Sequence, residues 1–166
     1  MPTGGNRNHL RSAWPPDAWG CLVSSAEQAR AACALGASWL VASHVGNLPE
    51  GPAGVMGLLP FADANGAVLD MGREMIREAG EIPVLAGILA IDQFRTRGIL
   101  LGMLAALVFA GVHTFPSVGL LDGGFRLPLD IAGLDRAPVL DLLNQAAGLR
   151  LFASGVAVLV LILLRC

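Results

Sequence analysis

The feature that most constrains the fold is a continuous apolar run, IPVLAGIL, over residues 82–89. A strand with one solvated face alternates apolar and polar residues, whereas a strand buried on both faces is apolar throughout. Strands of the second kind occur in parallel sheets whose two faces are both covered. The run therefore predicts a strand of a parallel sheet, with Pro83 near its start.

Segments typical of strands and of helices alternate along the rest of the chain. Strands are predicted over residues 19–23, 38–43, 110–115 and 149–156, and helices over residues 26–35, 64–79, 98–107 and 138–147. Such alternation predicts parallel β–α–β units with right-handed crossovers. An open doubly wound sheet and part of a (β/α)8 barrel both satisfy the pattern, and both place functional residues at the carboxyl ends of the strands.

Capping residues mark the ends of the first two helices. Ser24 or Ser25 can cap the first helix because a serine oxygen accepts a free backbone N–H, and Gly36 lies just past its end. Asp63 can cap the second helix, which Gly80 ends. The sequence therefore predicts defined ends for both helices.

Composition excludes several classes of protein. Hydrophobic residues make up 54% of the chain and charged residues 14%, which excludes a disordered protein. The net charge is -2 and there is no basic cluster, so nucleic acid is not an expected partner. All 11 basic residues are arginine, so chemistry that needs a Schiff-base, pyridoxal-phosphate or P-loop lysine is excluded.

Cysteine spacing gives an expectation about the compartment. Cys21, Cys33 and Cys166 are far apart, form no CxxC pair and give no zinc set with the three histidines. A reduced, cytoplasmic setting is therefore expected.

Polar residues of several types follow the predicted strands. They are Asp63 and Asn65, then Asp92, then His113 and Ser117, and finally Asp122, Gly123, Gly124 and Arg126. Each has a structural alternative: the first two aspartates can cap helices, the histidine can be a hydrogen-bonded core residue, and Asp-Gly is a turn signal. Together they place carboxylates, an imidazole and a guanidinium on one predicted face.

This combination of side chains favours a particular chemistry. Carboxylates form a hard-ligand set that suits Mg²⁺. Arg126 and the Gly123-Gly124 backbone suit an anionic group. The residues therefore favour metal-assisted chemistry on a small molecule that carries phosphate or carboxylate.

Three ordered motifs carry a resemblance to a known family. They are GLLPFADAN (residues 57–65), PVLAGILAIDQFR (83–95) and GVHTFPSVGLLDGGFR (111–126). In this order and spacing they resemble the phosphoenolpyruvate hydrolase-like TIM-barrel family, among the phosphoenolpyruvate/pyruvate-domain barrels, and the C-terminal barrel of plant tobamovirus-resistance-type proteins. The resemblance implies a (β/α)8 barrel and a hydrolase or lyase activity, with Mg²⁺, on a phosphoenolpyruvate- or phosphonopyruvate-like anion.

The motifs and the chemistry of their residues together give a predicted site. The catalytic candidates are Asp63, Asp92, His113 and Asp122, of which Asp63 and Asp92 are also the metal candidates; the substrate-binding candidates are Asn65, Ser117, Gly123, Gly124 and Arg126. The chain departs from the family pattern at Thr114, where the family has an asparagine before Phe-Pro.

The chain length limits how much of a barrel can form. A complete barrel of this type takes about 250 residues, so 166 residues predict a partial or truncated α/β barrel with about five parallel strands. We expect a loose arm over residues 1–17, the barrel domain over 18–157 and an apolar tail over 158–166. An uncovered sheet edge favours a homo-oligomer.

Two other functions compete with the enzyme. A non-catalytic barrel fragment could act in ligand sensing or assembly, since the barrel is incomplete. A small membrane-anchored protein is the third interpretation, because residues 151–164 form an apolar run between Arg150 and Arg165. This run is shorter than the roughly 20 residues that a membrane-spanning helix needs, so a membrane is not an expected partner.

Overall fold

Six strands pair in the order in which they occur along the chain. The computed structural model describes residues 16–44, 63–115, 117, 127, 131, 136–157 and 160–164. The strands are β1 (Gly20–Val23), β2 (Trp39–Ala42), β3 (Val84–Ile88), β4 (Gly111–Thr114), β5 (Phe152–Ala157) and β6 (Val160–Leu164). The helices of the described ranges are α1 (Ala26–Ala34), α2 (Ala64–Ala79), α3 (Arg97–Ala106) and α4 (Arg136–Gly148).

The strand order distinguishes the two architectures that the sequence leaves open. Each of β1 to β4 is parallel to the next strand in the chain, so that β1 to β5 form a parallel sheet. A doubly wound sheet reverses its order at a switch point and carries helices on both faces. Here buried residues of all four helices join one core on one face of the sheet. The predicted fold, a partial (β/α)8 barrel with five parallel strands, is therefore confirmed.

The central strand β3 is buried throughout, as its apolar sequence predicts. Val84, Ala86 and Ile88 belong to the helix-side core. Leu85 belongs to a second, smaller cluster with Val41 and other strand residues on the opposite face, which we call the inner face. Side chains of a strand alternate between faces, so an all-apolar strand suits this doubly covered position.

The ends of α1 and α2 lie where the capping residues predict. Ser25 caps α1 by accepting the Gln28 N–H at 3.2 Å, and Gly36 follows with a φ of 84°. Asp63 caps α2, and Gly80 ends it with a φ of 61°. Glycine adopts these left-handed conformations without the steric cost that a side chain adds.

Strand β6, over Val160–Leu164, is not predicted from the sequence. Strand β6 pairs antiparallel with β5, with Ala157 opposite Val160. Residues 160–164 are predicted as part of an apolar tail, but their aliphatic composition also suits an edge strand. The preceding strand starts at Phe152, later than predicted, because Arg150 takes a φ of 59° after α4.

Some sequence predictions concern parts of the chain that are not described. The N-terminal arm up to residue 15 and the segments 45–62 and 118–126 lie outside the described residues. Within the described ranges, no helix combines the length and the apolar character needed to cross a membrane.

Two helical glycines give a paired test of this packing. Gly72 of α2 faces the buried ring of Phe109, which a Cβ would overlap, whereas a Cβ on Gly102 of α3 would meet no atom within 4 Å. We expect Gly72→Ala to lower the free energy of unfolding by about 1 kcal/mol or more. Gly102→Ala should raise it by about 0.5–1 kcal/mol, because alanine loses less backbone entropy in a helix. Urea unfolding of both variants tests this pair, and stabilisation by both substitutions would contradict the packing.

Candidate active site at the carboxyl ends of the strands

The side-chain amide of Asn65 fixes the start of α2 to the end of β3. Its Oδ1 accepts the Leu89 N–H at 2.9 Å, and its Nδ2 donates to the Leu89 carbonyl at 3.2 Å. The amide therefore satisfies both backbone groups of the first residue beyond β3, as a neighbouring strand would. Asn65 is itself 3% exposed. Its position makes it part of the framework of the site.

Asp92 lies next to this amide and is saturated with hydrogen bonds. One carboxylate oxygen accepts the backbone N–H groups of Phe94 and Arg95 at 2.8 and 3.0 Å. The other accepts Asn65 Nδ2 at 3.1 Å and Arg95 Nη1 at 3.3 Å. The side chain is only 4% exposed. Four donors thus occupy the acceptor positions that a ligand would use.

Arg95 joins Asp92 to Asp63 and completes a cluster of four side chains. Its Nη1 donates to Asp63 Oδ1 at 2.8 Å, and its Nη2 donates to Asp63 Oδ2. This paired geometry is the strongest form of the arginine–carboxylate interaction. The hydrogen bonds from Arg95 hold the pKa of Asp63 below its usual range, and Asp63 in turn raises the pKa of Arg95. We call Asp63, Asn65, Asp92 and Arg95 the arginine cluster.

The cluster tests whether the two predicted metal ligands suit Mg²⁺. A divalent cation needs carboxylate oxygens with free lone pairs. Arg95 pairs with both Asp63 and Asp92, and its positive charge lies where a cation would have to enter. This arrangement does not fit Mg²⁺. Within the described ranges, no group of three or more histidine, cysteine, aspartate or glutamate side chains is arranged to hold a metal.

The inner face of the sheet carries an apolar layer. Val41, Leu85 and Ala110 form its buried part, with Trp39 and Phe152 packed against them. Since strand residues alternate in direction, the residues two positions nearer the carboxyl ends face the same side. Gly111 of β4 lies opposite Phe152 of β5, and two positions further along these strands lie His113 and Ser154, whose side chains are polar.

His113 and Ser154 are direct neighbours across β4 and β5. The strand register pairs them, and His113 Nδ1 lies 2.9 Å from Ser154 Oγ. Ser154 Oγ also lies 3.4 Å from the Val112 carbonyl oxygen. Burial lowers the pKa of the His113 imidazole, which favours its neutral form. The ring of Phe115 stacks against it, with centroids 6.5 Å apart.

A cavity of about 280 Å³ lies beside the arginine cluster. Its polar lining consists of Asp92, Arg95, Thr96 and Arg97, and Pro138 of α4 also lines it. Arg97 makes only a loose ion pair with Asp141, at 3.6 Å, so among the described residues its guanidinium keeps free donors. Arg97 is therefore the cationic side chain of this lining that has donors available for a ligand.

The predicted site residues divide into three groups. The structure brings Asp63, Asn65 and Asp92 together, and it places His113 on the adjacent strand. Ser117 is buried. The remaining candidates lie outside the described residues; they are Asp122, Gly123, Gly124 and Arg126.

Sequence reasoning missed two residues of the site. Arg95 carries a signal, because it follows Asp92 by three residues in the motif and so can reach the same carboxylate. Ser154 carries none, since only the register of β5 against β4 places it beside His113. Such cross-strand partners depend on tertiary pairing that a single sequence does not display.

The fold and the site define an α/β barrel protein with polar residues gathered at the carboxyl ends of its parallel strands. The family model described as "Phosphoenolpyruvate hydrolase-like" matches residues 21–158. This match covers most of the chain, and the chain belongs to the phosphoenolpyruvate hydrolase-like family.

Two relatives of the chain come from tomato. Over 84 residues, 51% of this chain, it is 46% identical to the ToMV resistance protein Tm-1(GCR237) of Solanum lycopersicum. The ToMV susceptible protein tm-1(GCR26) of the same plant matches to the same extent. The matched region is 11% of each of these proteins, so the chain spans a small part of their length.

A solved structure supports the barrel. The crystal structure of a "putative phosphonomutase" from Burkholderia cenocepacia J2315 resembles this chain with a TM-score of 0.51. The match covers 92% of this chain and 58% of that chain, at 19% sequence identity. At this identity the likeness shows a shared fold.

Removing Arg95 should destabilise the site. Arg95→Met leaves the buried Asp92 without one donor and Asp63 without its ion pair, and we expect a loss of about 1–3 kcal/mol in the free energy of unfolding. Arg30→Met is the matched control, because Arg30 also pairs with a carboxylate, Glu78, but its side chain is 66% exposed. Its loss should be smaller. Equal losses in urea unfolding would contradict a structural role for the cluster.

The same variant should change the pH dependence of stability. Arg95 lowers the pKa of Asp63, so the pair stabilises the fold above the ordinary carboxyl pKa of about 4 and loses this effect as pH falls. The stability difference between wild type and Arg95→Met should therefore be full at pH 7 and smaller at pH 3. Thermal melts at the two pH values measure it, and a constant difference would show that Asp63 is not the titrating partner.

Proposed function

We propose that this chain is the barrel domain of an enzyme that hydrolyses or cleaves a small anionic substrate of the phosphoenolpyruvate type. Membership of the phosphoenolpyruvate hydrolase-like family supports the substrate class. The position of the polar side chains supports the location of the chemistry, since barrels of this kind act at the carboxyl ends of their strands.

His113 is the observation that carries this proposal. Its imidazole lies on the inner face at the carboxyl end of β4, above the apolar layer, and burial favours its neutral form. A neutral imidazole can accept a proton from water or from a substrate at neutral pH. His113 is therefore the proposed general base.

Arginine side chains are the groups near the site that can attract an anionic substrate. Arg95 is already paired with two carboxylates, so it contributes little net attraction. Arg97 is less firmly paired and lines the cavity beside the cluster. We propose that Arg97 attracts the anion, together with Arg126 of the third motif.

Dependence on Mg²⁺ is a prediction from the family resemblance. Asp63 and Asp92 do not fit as its ligands in the arginine cluster, so the roles above use only side chains of the chain. In this proposal the arginine cluster fixes the loop after β3 and the start of α2. It thereby fixes the position of the backbone that follows β3.

A second candidate is a ligand-sensing module without catalysis. The occupied state of Asp63 and Asp92 favours it, because carboxylates that bind Arg95 are withdrawn from catalysis. Such a module would bind the same anion and leave it unchanged. Binding and turnover must therefore be measured separately.

The test combines a melt with an assay of the purified full chain. Oxalate and phosphoenolpyruvate should raise the melting temperature relative to chloride at equal ionic strength, because a ligand of the folded state stabilises it. Release of phosphate and pyruvate from phosphoenolpyruvate should be measurable in Mg²⁺, with an EDTA sample in parallel. His113→Gln should lower kcat about 100-fold or more and keep the oxalate shift.

The outcomes separate the two candidates. An oxalate shift without turnover in wild type would favour ligand sensing. The absence of both would contradict the substrate class. Arg30→Gln is the control for the assay, since Arg30 lies on the exposed side of α1 and should leave turnover unchanged.

A further inference from the structure

Ser154 holds a position beside His113 that no motif accounts for. Strand register places Gly87 on one side of His113 and Ser154 on the other. A Cβ on Gly87 would lie 2.7 Å from the Ala42 carbonyl oxygen and 3.4 Å from Ser43 Cβ, so only glycine fits there. The hydroxyl of Ser154 is thus the polar group that reaches His113 from these two strands.

The two contacts of Ser154 Oγ determine where its proton lies. The hydroxyl has one hydrogen, and it lies near two acceptors, the Val112 carbonyl oxygen and His113 Nδ1. If the hydroxyl donates to Val112, the imidazole must donate from Nδ1 to Ser154 Oγ, and both contacts are hydrogen bonds. If it donates to Nδ1 instead, the carbonyl contact has no hydrogen. The first arrangement uses both contacts.

We propose that Ser154 is a positioning residue that holds the neutral His113 in its Nδ1–H tautomer and leaves Nε2 free to act as the general base. The catalytic part of this inference rests on the proposed function. The part that concerns the tautomer of His113 rests on the structure alone. The hydroxyl accepts the hydrogen bond that fixes the tautomer of His113, as a carboxylate or a backbone carbonyl does in other catalytic histidines.

Burial argues against a nucleophilic role for the serine. Ser154 is 3% exposed, and its oxygen already takes part in two hydrogen bonds within the sheet. A nucleophile must reach the substrate, whereas His113 is only partly buried. Positioning is therefore the role that the geometry allows.

Among the described residues, the strand neighbours of the imidazole are uncharged. The strands that flank β4 present Gly87 and Ser154 to it, and Phe115 stacks on its ring. Burial is thus the cause of its lowered pKa. In hydrolysis of phosphoenolpyruvate, Nε2 takes one proton from a water molecule whose oxygen forms a new bond to phosphorus. The bond from phosphorus to the enol oxygen breaks, and the imidazolium returns its proton to the pyruvate enolate that leaves.

The first test reads the tautomer directly and needs no substrate. Two-bond and three-bond ¹H–¹⁵N couplings distinguish Nδ1–H from Nε2–H, and loss of signals in His113→Gln assigns the ring among the three histidines. Wild type should show the Nδ1–H tautomer at neutral pH. Ser154→Ala should shift the ring toward Nε2–H. An Nε2–H ring in wild type would overturn the proposal.

The second test measures activity with matched variants. Ser154→Ala should lower kcat by about 10- to 100-fold, less than loss of the base itself, and should shift the acid limb of the pH profile to lower pH. The shift has this sign because the Ser154 oxygen favours the imidazolium, which donates to it more strongly. Ser154→Thr, which keeps the hydroxyl, should restore the tautomer, the profile and most of kcat.

Thr114→Val is the control for changes in packing. Thr114 is the next residue on β4 and faces the helix side, and its buried Oγ1 has no hydrogen-bond partner within the described residues. Valine has the same shape, so this variant should keep the His113 tautomer and kcat. A tautomer change in Ser154→Ala without detectable turnover in wild type would support positioning and contradict the proposed function. Normal turnover with an unchanged tautomer in Ser154→Ala would contradict positioning alone.

Discussion

The structure depends on one constraint: every connection between parallel strands crosses on the same side of the sheet. The crossovers through α1 to α4 bury all four helices in a single core on one face, as crossovers of one uniform hand require. The opposite face is then left to the strands, whose side chains form an apolar layer with polar residues nearer the carboxyl ends. The same constraint brings the residues that follow β3 and the carboxyl end of β4 to one edge of the sheet. It explains why residues distant in sequence, such as Asn65 and Asp92, come into contact.

In the arginine cluster, Arg95 pairs with both acidic residues of the candidate site. Asp63 and Asp92 are two negative charges at short range, and Arg95 offsets one of them while it orients both. In a partly buried position this arrangement favours order in the loop over affinity for a cation. In the proposed function the reactive group is His113, on the neighbouring strand. The structural role and the proposed chemical role then belong to residues of different strands.

Local sequence signals predicted most of the fold and part of the site. Asp63 and Gly80 delimit α2 because capping and left-handed backbone are local properties, and the apolar run around Leu85 predicts a strand covered on both faces. The strand order decided between a barrel and a doubly wound sheet, and this is a tertiary property. Chemistry alone suggested Asp63 and Asp92 as metal ligands, because the reach of the Arg95 side chain across 32 residues is not visible in a sequence.

The two hydrogen bonds between Asn65 and Leu89 also affect the chemical stability of the Asn65 side chain. Asn65 is followed by Gly66. In an Asn-Gly dipeptide the backbone nitrogen of the glycine can attack the side-chain amide, which is then converted to an acid. Asparagine is for this reason a thermolabile residue. Here the Gly66 N–H donates to Asp63 at 2.8 Å and the amide is held on both sides. The reacting atoms are therefore kept apart while the chain is folded. Deamidation would place a new carboxylate against Asp92 and would remove the donor to the Leu89 carbonyl. This single chemical change would therefore weaken the contact between the start of α2 and the end of β3.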